Sequence, residues 1–307
     1  SGDSTQMLVK IAERLNINIK GYIDMKNVNV IDENIVNNTI FGRVSPFQKK
    51  ELVEKMKLLG HTVAMTGDGV NDVLALKEAD CSIAIASGSD AAKAVSRLVL
   101  LDSNFDSIPN IVYEGRRTIN NITRSASLFL SKTGYAILFA IIYLFLNVSY
   151  PFEPVQISLI SSLTIGIPSF VLALEDNKDR LNGSFLKNVL YKSVPVSITS
   201  VLMVLIVEII GSIFGLSQEQ KSTIDVILIE TIGFMLIFKI SIPFNKIRKI
   251  LFYFCIICFI ICSIFLRKFY SLTILSGELL LMTFALITLS IYILIYLYKI
   301  FNKLIEK

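Results

Sequence analysis

The segment Met65-Thr66-Gly67-Asp68-Gly69-Val70-Asn71-Asp72 decides the fold of the first part of this chain. It overlaps the end of Thr62-Val63-Ala64-Met65, a short apolar run with β-branched residues that predicts a buried strand. The residues after it, Val73 to Lys77, predict a helix. Glycines at the strand end permit a sharp turn, which places Asp68 and Asp72 beyond the carboxyl edge of the predicted sheet. Open α/β sheets bind their ligands at that edge.

Two carboxylates and an amide at one sheet edge suit a magnesium ion with a phosphate group. Magnesium takes carboxylate and phosphate oxygens, and the N–H groups at the start of a helix bind anions. We therefore expect Asp68, Asn71 and Asp72 to form such a site. A solvated acidic turn is the alternative for a Gly-Asp-Gly sequence taken alone.

Composition indicates a membrane protein. Of the 307 residues 53% are hydrophobic and only 18% are charged, against about 25% charged in an average soluble domain. Charged residues crowd the first part of the chain, and long apolar runs fill the rest. The basic residues lie mostly between apolar runs, so they indicate membrane topology and not a surface for nucleic acid. Four cysteines do not predict a disulfide framework.

Residues 1–115 alternate predicted helices and strands, which favours an α/β, Rossmann-like domain with a parallel sheet. The predicted helices are Thr5–Leu15 and Pro46–Leu59, besides the one that begins at Val73. Ser45 is a favourable N-cap for the second of these, and proline is favourable at its first position. Further strands are predicted at Thr39–Arg43, Cys81–Ile85 and Leu98–Leu101. Residues 22–36 show no clear period and predict no element.

Three motifs in this half resemble segments of the P-type cation-transporting ATPases, which belong to the haloacid dehalogenase superfamily. Thr66–Asp72, TGDGVND, resembles their hinge signature. Arg43–Lys49, RVSPFQK, resembles their R-V-x-P-x-x-K segment, and Ser1-Gly2-Asp3 resembles their TGD motif. The resemblance is collinear from Ser1 to about Pro168, so it covers more than the soluble domain.

The resemblance implies a haloacid dehalogenase-like phosphorylation domain that uses ATP and Mg²⁺. It assigns catalysis to Lys49, Asp68 and Asp72, with Asp68 and Asp72 at the magnesium. Contacts to the nucleotide and the phosphoryl group would come from Ser1, Gly2, Asp3, Arg43, Lys49 and Asn71. A solvated helix face is the alternative for Lys49 and its neighbour Lys50.

The phosphorylated aspartate of these pumps lies in a DKTGT motif, which the 307 residues lack. The actuator domain, the nucleotide-binding domain and the first spanning helices also have no counterpart. We therefore expect the carboxyl-terminal part of a longer pump, inactive alone and partnered by the missing N-terminal part. Two alternatives stay open: a membrane-anchored phosphatase of the same superfamily, and a non-enzymatic membrane subunit.

Residues 116–307 predict an all-α transmembrane bundle of about six helices, because a span needs about 20 apolar residues. The candidate spans are 128–146, 155–174, 194–216, 224–242, 250–266 and 279–298. The candidate inner segments contain eleven lysines and arginines, against three in the outer ones. This bias predicts that the soluble domain and the carboxyl terminus are cytoplasmic. The expected location is a bacterial plasma membrane.

Polar residues inside the predicted spans are candidates for an ion path, because they are costly in a bilayer. Gly166 and Pro168 would break the second span and free backbone carbonyls for a cation. The candidate ion-path residues are Ser161, Ser162, Thr164, Glu208 and Glu230. In the alternative, the hydroxyls bond their own helices and one glutamate pairs with Lys132.

The transported ion is open at this stage. Well-known calcium, sodium–potassium and proton pumps carry a carboxylate where Ile165 stands, and often one where Tyr135 stands. Ser161–Pro168 instead resembles the CtpE-like subgroup of bacterial calcium pumps, which makes calcium the candidate ion. Cys255, Cys258 and Cys262 share one helix face, but packing is the preferred interpretation over a soft-metal site.

Overall fold

The computed structural model describes residues 2–28, 30–145, 149–181 and 183–305. Ser1 of the predicted phosphoryl site and Leu146 at the end of the first predicted span lie outside these residues. The chain divides into two compact units, Ser1–Ile111 and Val112–Lys307.

The first unit alternates helices and strands. Its helices are α1 (Thr5–Arg14), α2 (Glu33–Val36), α3 (Pro46–Leu58), α4 (Val73–Glu78) and α5 (Asp90–Val95). Its strands are β1 (Tyr22–Asp24), β2 (Ile40–Gly42), β3 (Ala64–Gly67), β4 (Cys81–Ile85) and β5 (Leu98–Leu100). Each predicted helix and strand of this half forms, with ends displaced by at most two residues. Strand β1 and helix α2 lie in the stretch that shows no clear sequence period.

The strands form two parallel sheets. Strand β1 pairs with β2, and the second sheet has the order β3-β4-β5. Strand β4 is central and its interior residues are buried, as the sequence predicts. The prediction that the strand before Gly67 is buried is wrong, because Ala64 and Thr66 are exposed. Strand β3 lies at one edge of its sheet and β5 at the other, so within the described residues no further strand covers the outer side of β3.

A capping box fixes the start of α3. The Ser45 hydroxyl accepts a hydrogen bond from the backbone N–H of Gln48 at 3.3 Å, and the Gln48 side chain accepts one from the Ser45 N–H at 3.0 Å. The Gln48 amide also donates to the carbonyls of Met25 and Val28, both at 2.9 Å. These bonds tie α3 to the segment after β1, which fixes the position of the next residue, Lys49.

The second unit is helical. Its helices, counting one that begins shortly before it, are α6 (Ile108–Phe145), α7 (Pro154–Ser161), α8 (Ile167–Ala173), α9 (Phe185–Phe214), α10 (Gln218–Ser241), α11 (Lys246–Phe265) and α12 (Gly277–Ile305). Five helical segments of the described chain are long and apolar enough to cross a membrane: Phe105–Phe145, Pro154–Ala173, Phe185–Phe214, Lys246–Phe265 and Gly277–Lys303.

The count of about six predicted spans therefore differs from the five that meet this criterion. The fourth predicted span, 224–242, is helical within α10. It falls outside the five because Asp225, Glu230 and Lys239 put three charged residues into one apolar stretch. Most residues of α10 from Ser222 onward are buried in the bundle, so its charged groups face protein.

Candidate functional site

The acidic turn lies at the carboxyl end of β3. Strand β3 ends at Gly67, Asp68 follows, and a 3₁₀ turn over Val70–Asp72 leads into α4. A Cβ on Gly67 would lie 2.5 Å from the Cβ of Asp72, so only glycine lets Asp72 fold back over the strand end. The Asp72 carboxylate also accepts a hydrogen bond from the N–H of Gly69 at 3.4 Å. The turn thus holds both aspartates at one sheet edge.

The two aspartates differ in exposure. Asp68 is exposed, whereas Asp72 is 7% exposed. The backbone carbonyl of Asp68 accepts a hydrogen bond from the N–H of Ser89 at 2.7 Å, which ties the turn to the loop before α5. The main chain of Asp68 is therefore fixed while its carboxylate faces solvent.

Lys49 reaches the acidic turn from α3. Its Nζ lies 2.7 Å from Oδ1 of Asp72, and the two side chains are 18% and 10% exposed. The adjacent Lys50 instead pairs with Glu54 on the same helix at 3.0 Å, with both side chains about two-fifths exposed. A solvated helix face therefore describes Lys50, and Lys49 belongs to the acidic turn.

Arg43 has a partner that the sequence did not indicate. Its Nε donates to the Asp24 carboxylate at 2.9 and 3.1 Å. The hydrogen bond from Arg43 lowers the pKa of Asp24 below its ordinary value. The backbone N–H of Arg43 donates to the carbonyl of Asp3 at 2.9 Å, while Gly2, Asp3 and Asn71 are exposed. The contacts in the described chain thus join Arg43 to Asp24 and Asp3, and Lys49 to Asp72.

A cavity of about 720 Å³ lies beside the acidic turn, within the size range of small-molecule sites. Its charged lining consists of Lys49, Asp68 and Asp72, and the rest is mostly apolar. Within the described ranges, no group of three or more His, Cys, Asp or Glu side chains could hold a metal ion. The two carboxylates suit magnesium, which commonly takes one or two carboxylates and completes its shell with water and phosphate oxygens.

In the membrane-helix unit, the predicted break of the second span is a π-helical turn, Ser162–Gly166, between α7 and α8. Such turns interrupt the regular hydrogen-bond ladder and are frequent at functional sites. The hydroxyls of Ser161, Ser162 and Thr164 donate to carbonyls four residues earlier, at 2.6, 2.8 and 2.7 Å. These hydroxyls therefore form hydrogen bonds within their own helical segment, which agrees with the alternative to an ion path given for them above.

The two candidate glutamates have different surroundings. Glu208 accepts a hydrogen bond from Lys221 at 2.7 Å, so a cation already balances its charge. Glu230 is fully buried, and neither of its carboxylate oxygens has a hydrogen-bond partner among the described residues. Lys132 donates to the hydroxyl of Ser161 at 2.6 Å, not to a glutamate.

Glu230 lies one helical turn from the contact between α10 and the π-helical turn. A Cβ on Gly233, three residues after Glu230, would lie 2.5 Å from the Thr164 side chain. Small residues permit this close approach of helices in membranes. Thr164, Gly233 and Lys132 line a cavity of only about 10 Å³, which is closed to anything larger than a water.

A buried ion-pair network was not foreseen from the sequence. Glu175 follows α8, and its side chain is 4% exposed. It accepts hydrogen bonds from Arg124 of α6 at 2.5 Å, from Arg248 of α11 at 3.0 Å, and from Asn245. Burial by itself would raise the pKa of Glu175, but the hydrogen bond from Arg248 and the charge of Arg124 lower it. These residues lie far apart in sequence, so no local pattern could have indicated the network.

The first part of the chain, residues 1–80, matches the haloacid dehalogenase-like hydrolase family. This match and the site described above define a haloacid dehalogenase-like domain, joined to a chain segment with several candidate membrane spans. The chain is related to the P-type cation-transporting ATPases. The resemblance inferred from TGDGVND and from Ser161–Pro168 is confirmed at this level.

Three relatives show the extent of the similarity. The "Probable cation-transporting ATPase exp7" of Streptococcus pneumoniae serotype 4 is 39% identical over 264 residues, which are 82% of this chain and 34% of that protein. The "Calcium-transporting ATPase CtpE" of Mycolicibacterium smegmatis is 44% identical over 173 residues, 53% of this chain and 22% of that protein. The "Calcium-transporting ATPase" of Bacillus subtilis is 33% identical over 183 residues, which are 57% of this chain and 21% of that protein. The chain thus spans between 21% and 34% of these relatives.

Proposed function

We propose that this chain supplies the phosphoryl-transfer site and part of the ion path of an ATP-driven cation pump that forms an aspartyl-phosphate. The carrying observation is the contact of Lys49 with Asp72, beside Asp68 at the carboxyl end of β3. The candidate membrane spans of the same chain and the names of its relatives support the proposal. Calcium is the candidate ion, since two of the three relatives above are named calcium-transporting.

Each side chain of the acidic turn has a distinct role in the proposed transfer. Magnesium, when bound, neutralises phosphoryl oxygens and orients the transferred group. The exposed carboxylate of Asp68 would hold this ion, with Asp72 in support. Lys49, positioned by α3 and paired with Asp72, directs its positive charge toward the charge that develops on the phosphoryl group. Nucleotide and phosphoryl contacts are assigned to Ser1, Gly2, Asp3, Arg43 and Asn71.

Replacing Asp68 by Asn in the complete protein tests this assignment. Asp68→Asn should abolish phosphoenzyme formation from ATP, because a neutral amide holds magnesium poorly. The fold should persist, since it is the backbone carbonyl of Asp68 that bonds Ser89. Acid-stable incorporation of ³²P from labelled ATP measures the phosphoenzyme.

The matched control for this variant is Asp90→Asn. The Asp90 side chain is 99% exposed and pairs with Lys93 on the first turn of α5. Removing the charge of Asp90 in this variant should leave phosphoenzyme formation from ATP unchanged. Normal phosphoenzyme levels in Asp68→Asn, at saturating or limiting magnesium, would remove Asp68 from the site.

For the ion path, we assign the compensating charge of the cation to Glu230. A divalent cation needs negative charge as well as neutral oxygens, and Tyr135 and Ile165 supply none. A buried carboxylate without a partner is costly inside a membrane, which makes Glu230 a candidate for a functional role. Glu208 is the weaker candidate because Lys221 already compensates it. Carbonyls and hydroxyls of Ser161, at the end of α7, and of Ser162 and Thr164 in the π-helical turn would complete the ligand set.

The proposed setting is a bacterial plasma membrane, with the first unit and the carboxyl terminus in the cytoplasm. The bias of basic residues toward the inner segments supports this orientation. The upstream part of the protein would provide the phosphorylated aspartate and the remaining helices. Uptake by sealed vesicles across a panel of cations, calcium first, would identify the ion.

A further inference from the structure

A second large cavity lies in the membrane-helix unit, with a volume of about 400 Å³. It is lined by residues of α6, α9 and α10 and of the segments that follow α8 and α10. Its charged lining is Arg124, Lys192, Lys239 and Asp179. Three cations against one carboxylate give this lining a formal charge of 3 − 1 = +2.

The partners of Arg124 and Lys239 do not cancel this positive charge. Arg124 shares the single carboxylate of Glu175 with Arg248, so one negative charge serves two guanidinium groups. Lys239 lies 3.5 Å from the ring centroid of Tyr298 and donates to the hydroxyl of a second tyrosine. A cation–π contact orients an ammonium group but leaves its formal charge in place.

Like Lys239, Lys192 is a cation of this cavity that no carboxylate neutralises within the residues that the structure describes. Its backbone carbonyl accepts a hydrogen bond from the hydroxyl of Tyr298 at 3.1 Å, which fixes this part of α9. Arg124 and Lys239 line the same cavity and carry charge of the same sign as Lys192. In the ranges that the structure describes, no carboxylate forms an ion pair with Lys192. Like charges gathered in a partly enclosed site favour the binding of an anion.

The same cavity has an apolar, exposed side. Leu181, Phe185 and Ile242 line it and are 37%, 42% and 56% exposed. Phe185 begins α9, and Ile242 follows the last residue of α10. These helix ends belong to the side where the basic residues concentrate, which is the side that faces anionic lipids in membranes. A positive interior with an apolar rim fits an amphiphile better than a free anion.

We propose that this cavity binds the phosphate headgroup of an anionic phospholipid. Lys192 contacts the phosphate, Lys239 and Arg124 add to the positive potential, and the acyl chains leave past Phe185 and Ile242. Basic pockets between spanning helices on the cytoplasmic side recognise such headgroups by this combination. The proposal is independent of the ion and of phosphoryl transfer, because none of these residues belongs to either site.

Equilibrium binding to the complete protein in detergent tests the proposal. The probe is dioctanoyl phosphatidylglycerol, counted per protein by native mass spectrometry. We expect one saturable site, and a Lys192→Gln variant should bind about five- to tenfold more weakly, since one lysine beside an anionic headgroup contributes about 1 kcal/mol or more. The matched control is Lys249→Gln, which removes an exposed lysine from the first turn of α11 outside the cavity and should bind as the wild type does.

Three results would overturn the proposal. Wild-type affinity in a Lys192→Gln variant whose melting temperature is unchanged would remove the lysine from the site. Equal binding of dioctanoyl phosphatidylcholine would show that the negative charge is not recognised. Competition by glycerol 3-phosphate at the same concentration as the lipid would show that the acyl chains contribute nothing and that a soluble phosphate compound is the ligand.

Discussion

Replacing Lys49 by Ala separates a residue of the phosphoryl site from a residue on the helix surface. The Lys49 ammonium and the Asp72 carboxylate are 2.7 Å apart, and the side chains are 18% and 10% exposed. Water therefore screens their charges less than it would at the surface. A positioned charge that stabilises a transition state typically contributes about 3–4 kcal/mol. Lys49→Ala should accordingly slow phosphoenzyme formation on the order of 100-fold to 1000-fold, because about 1.4 kcal/mol corresponds to a factor of ten.

The control is the next residue of the same helix. Lys50 pairs with Glu54 at 3.0 Å, one turn along α3, and both side chains are about two-fifths exposed. Lys50→Ala makes the same chemical change with the same effect on helix propensity, and it should leave the rate nearly unchanged. Rapid-quench measurement of ³²P-phosphoenzyme in the complete protein gives both rates at equal ATP and magnesium.

A second variant separates catalysis from electrostatic stability. Removing Lys49 also leaves Asp72 without its ion-pair partner, which would destabilise the acidic turn. Lys49→Arg keeps a positive charge beside Asp72, so this variant should have the melting temperature of the wild type. Its rate of phosphoenzyme formation should be restored only in part, because the guanidinium group is larger than the ammonium group. The reasoning is refuted if Lys49→Ala and Lys50→Ala slow the reaction equally, or if neither slows it.

Two further predictions concern the membrane-helix unit. Glu230→Gln should weaken ion-stimulated ATP hydrolysis, whereas Glu208→Gln should change it little. Phosphorylation by inorganic phosphate should survive in both variants. Wild-type ion dependence in Glu230→Gln would mean that another residue balances the charge of the cation. Glu175→Gln should cost about 3–5 kcal/mol, because Arg124 and Arg248 lose the carboxylate between them, and a lower melting temperature in detergent would show it. Folding lowers the pKa of Glu175 below its ordinary value of 4.5. The ionised Glu175 carboxylate therefore stabilises the folded protein above pH 4.5, and this stabilisation is lost as the pH falls through the pKa that Glu175 has in the folded protein. The difference in melting temperature between variant and wild type should therefore shrink below pH 4.5, and a difference that persists in acid would contradict the assignment.

Several features followed from the sequence because they depend on residues close together in the chain. Ser45 was predicted as the N-cap of α3, and the structure confirms it, with Gln48 completing a capping box that was not predicted. The turn from β3 to α4 depends on Gly67 and the aspartates beside it. The resemblance assigned Lys49 and Asp72 to the same site, an assignment that stays a prediction, and the structure shows the two side chains in contact.

Other expectations failed where neighbours in space decide the outcome. The composition of the strand before Gly67 predicts burial, but β3 is an edge strand, so Ala64 and Thr66 are exposed. Strand β1 has only three residues, too few for a period to show, and its pairing with β2 defines it. The fourth predicted span has the length of a membrane helix, but it contains charged residues. Asp225 and Glu230 are buried among neighbouring helices, which the sequence alone does not reveal.

The sequence by itself predicted the resemblance to P-type cation-transporting ATPases, the acidic turn, and a haloacid dehalogenase-like fold followed by a helical region with candidate membrane spans. These rest on composition and on motifs whose residues are adjacent. Only the tertiary structure distinguished the two glutamates, because the pairing of Glu208 with Lys221 and the isolation of Glu230 arise from contacts between side chains. It likewise joined Arg124, Glu175 and Arg248, which lie on separate elements. The energy of a buried charge depends on what surrounds it in space, and spacing along the chain carries no record of that environment.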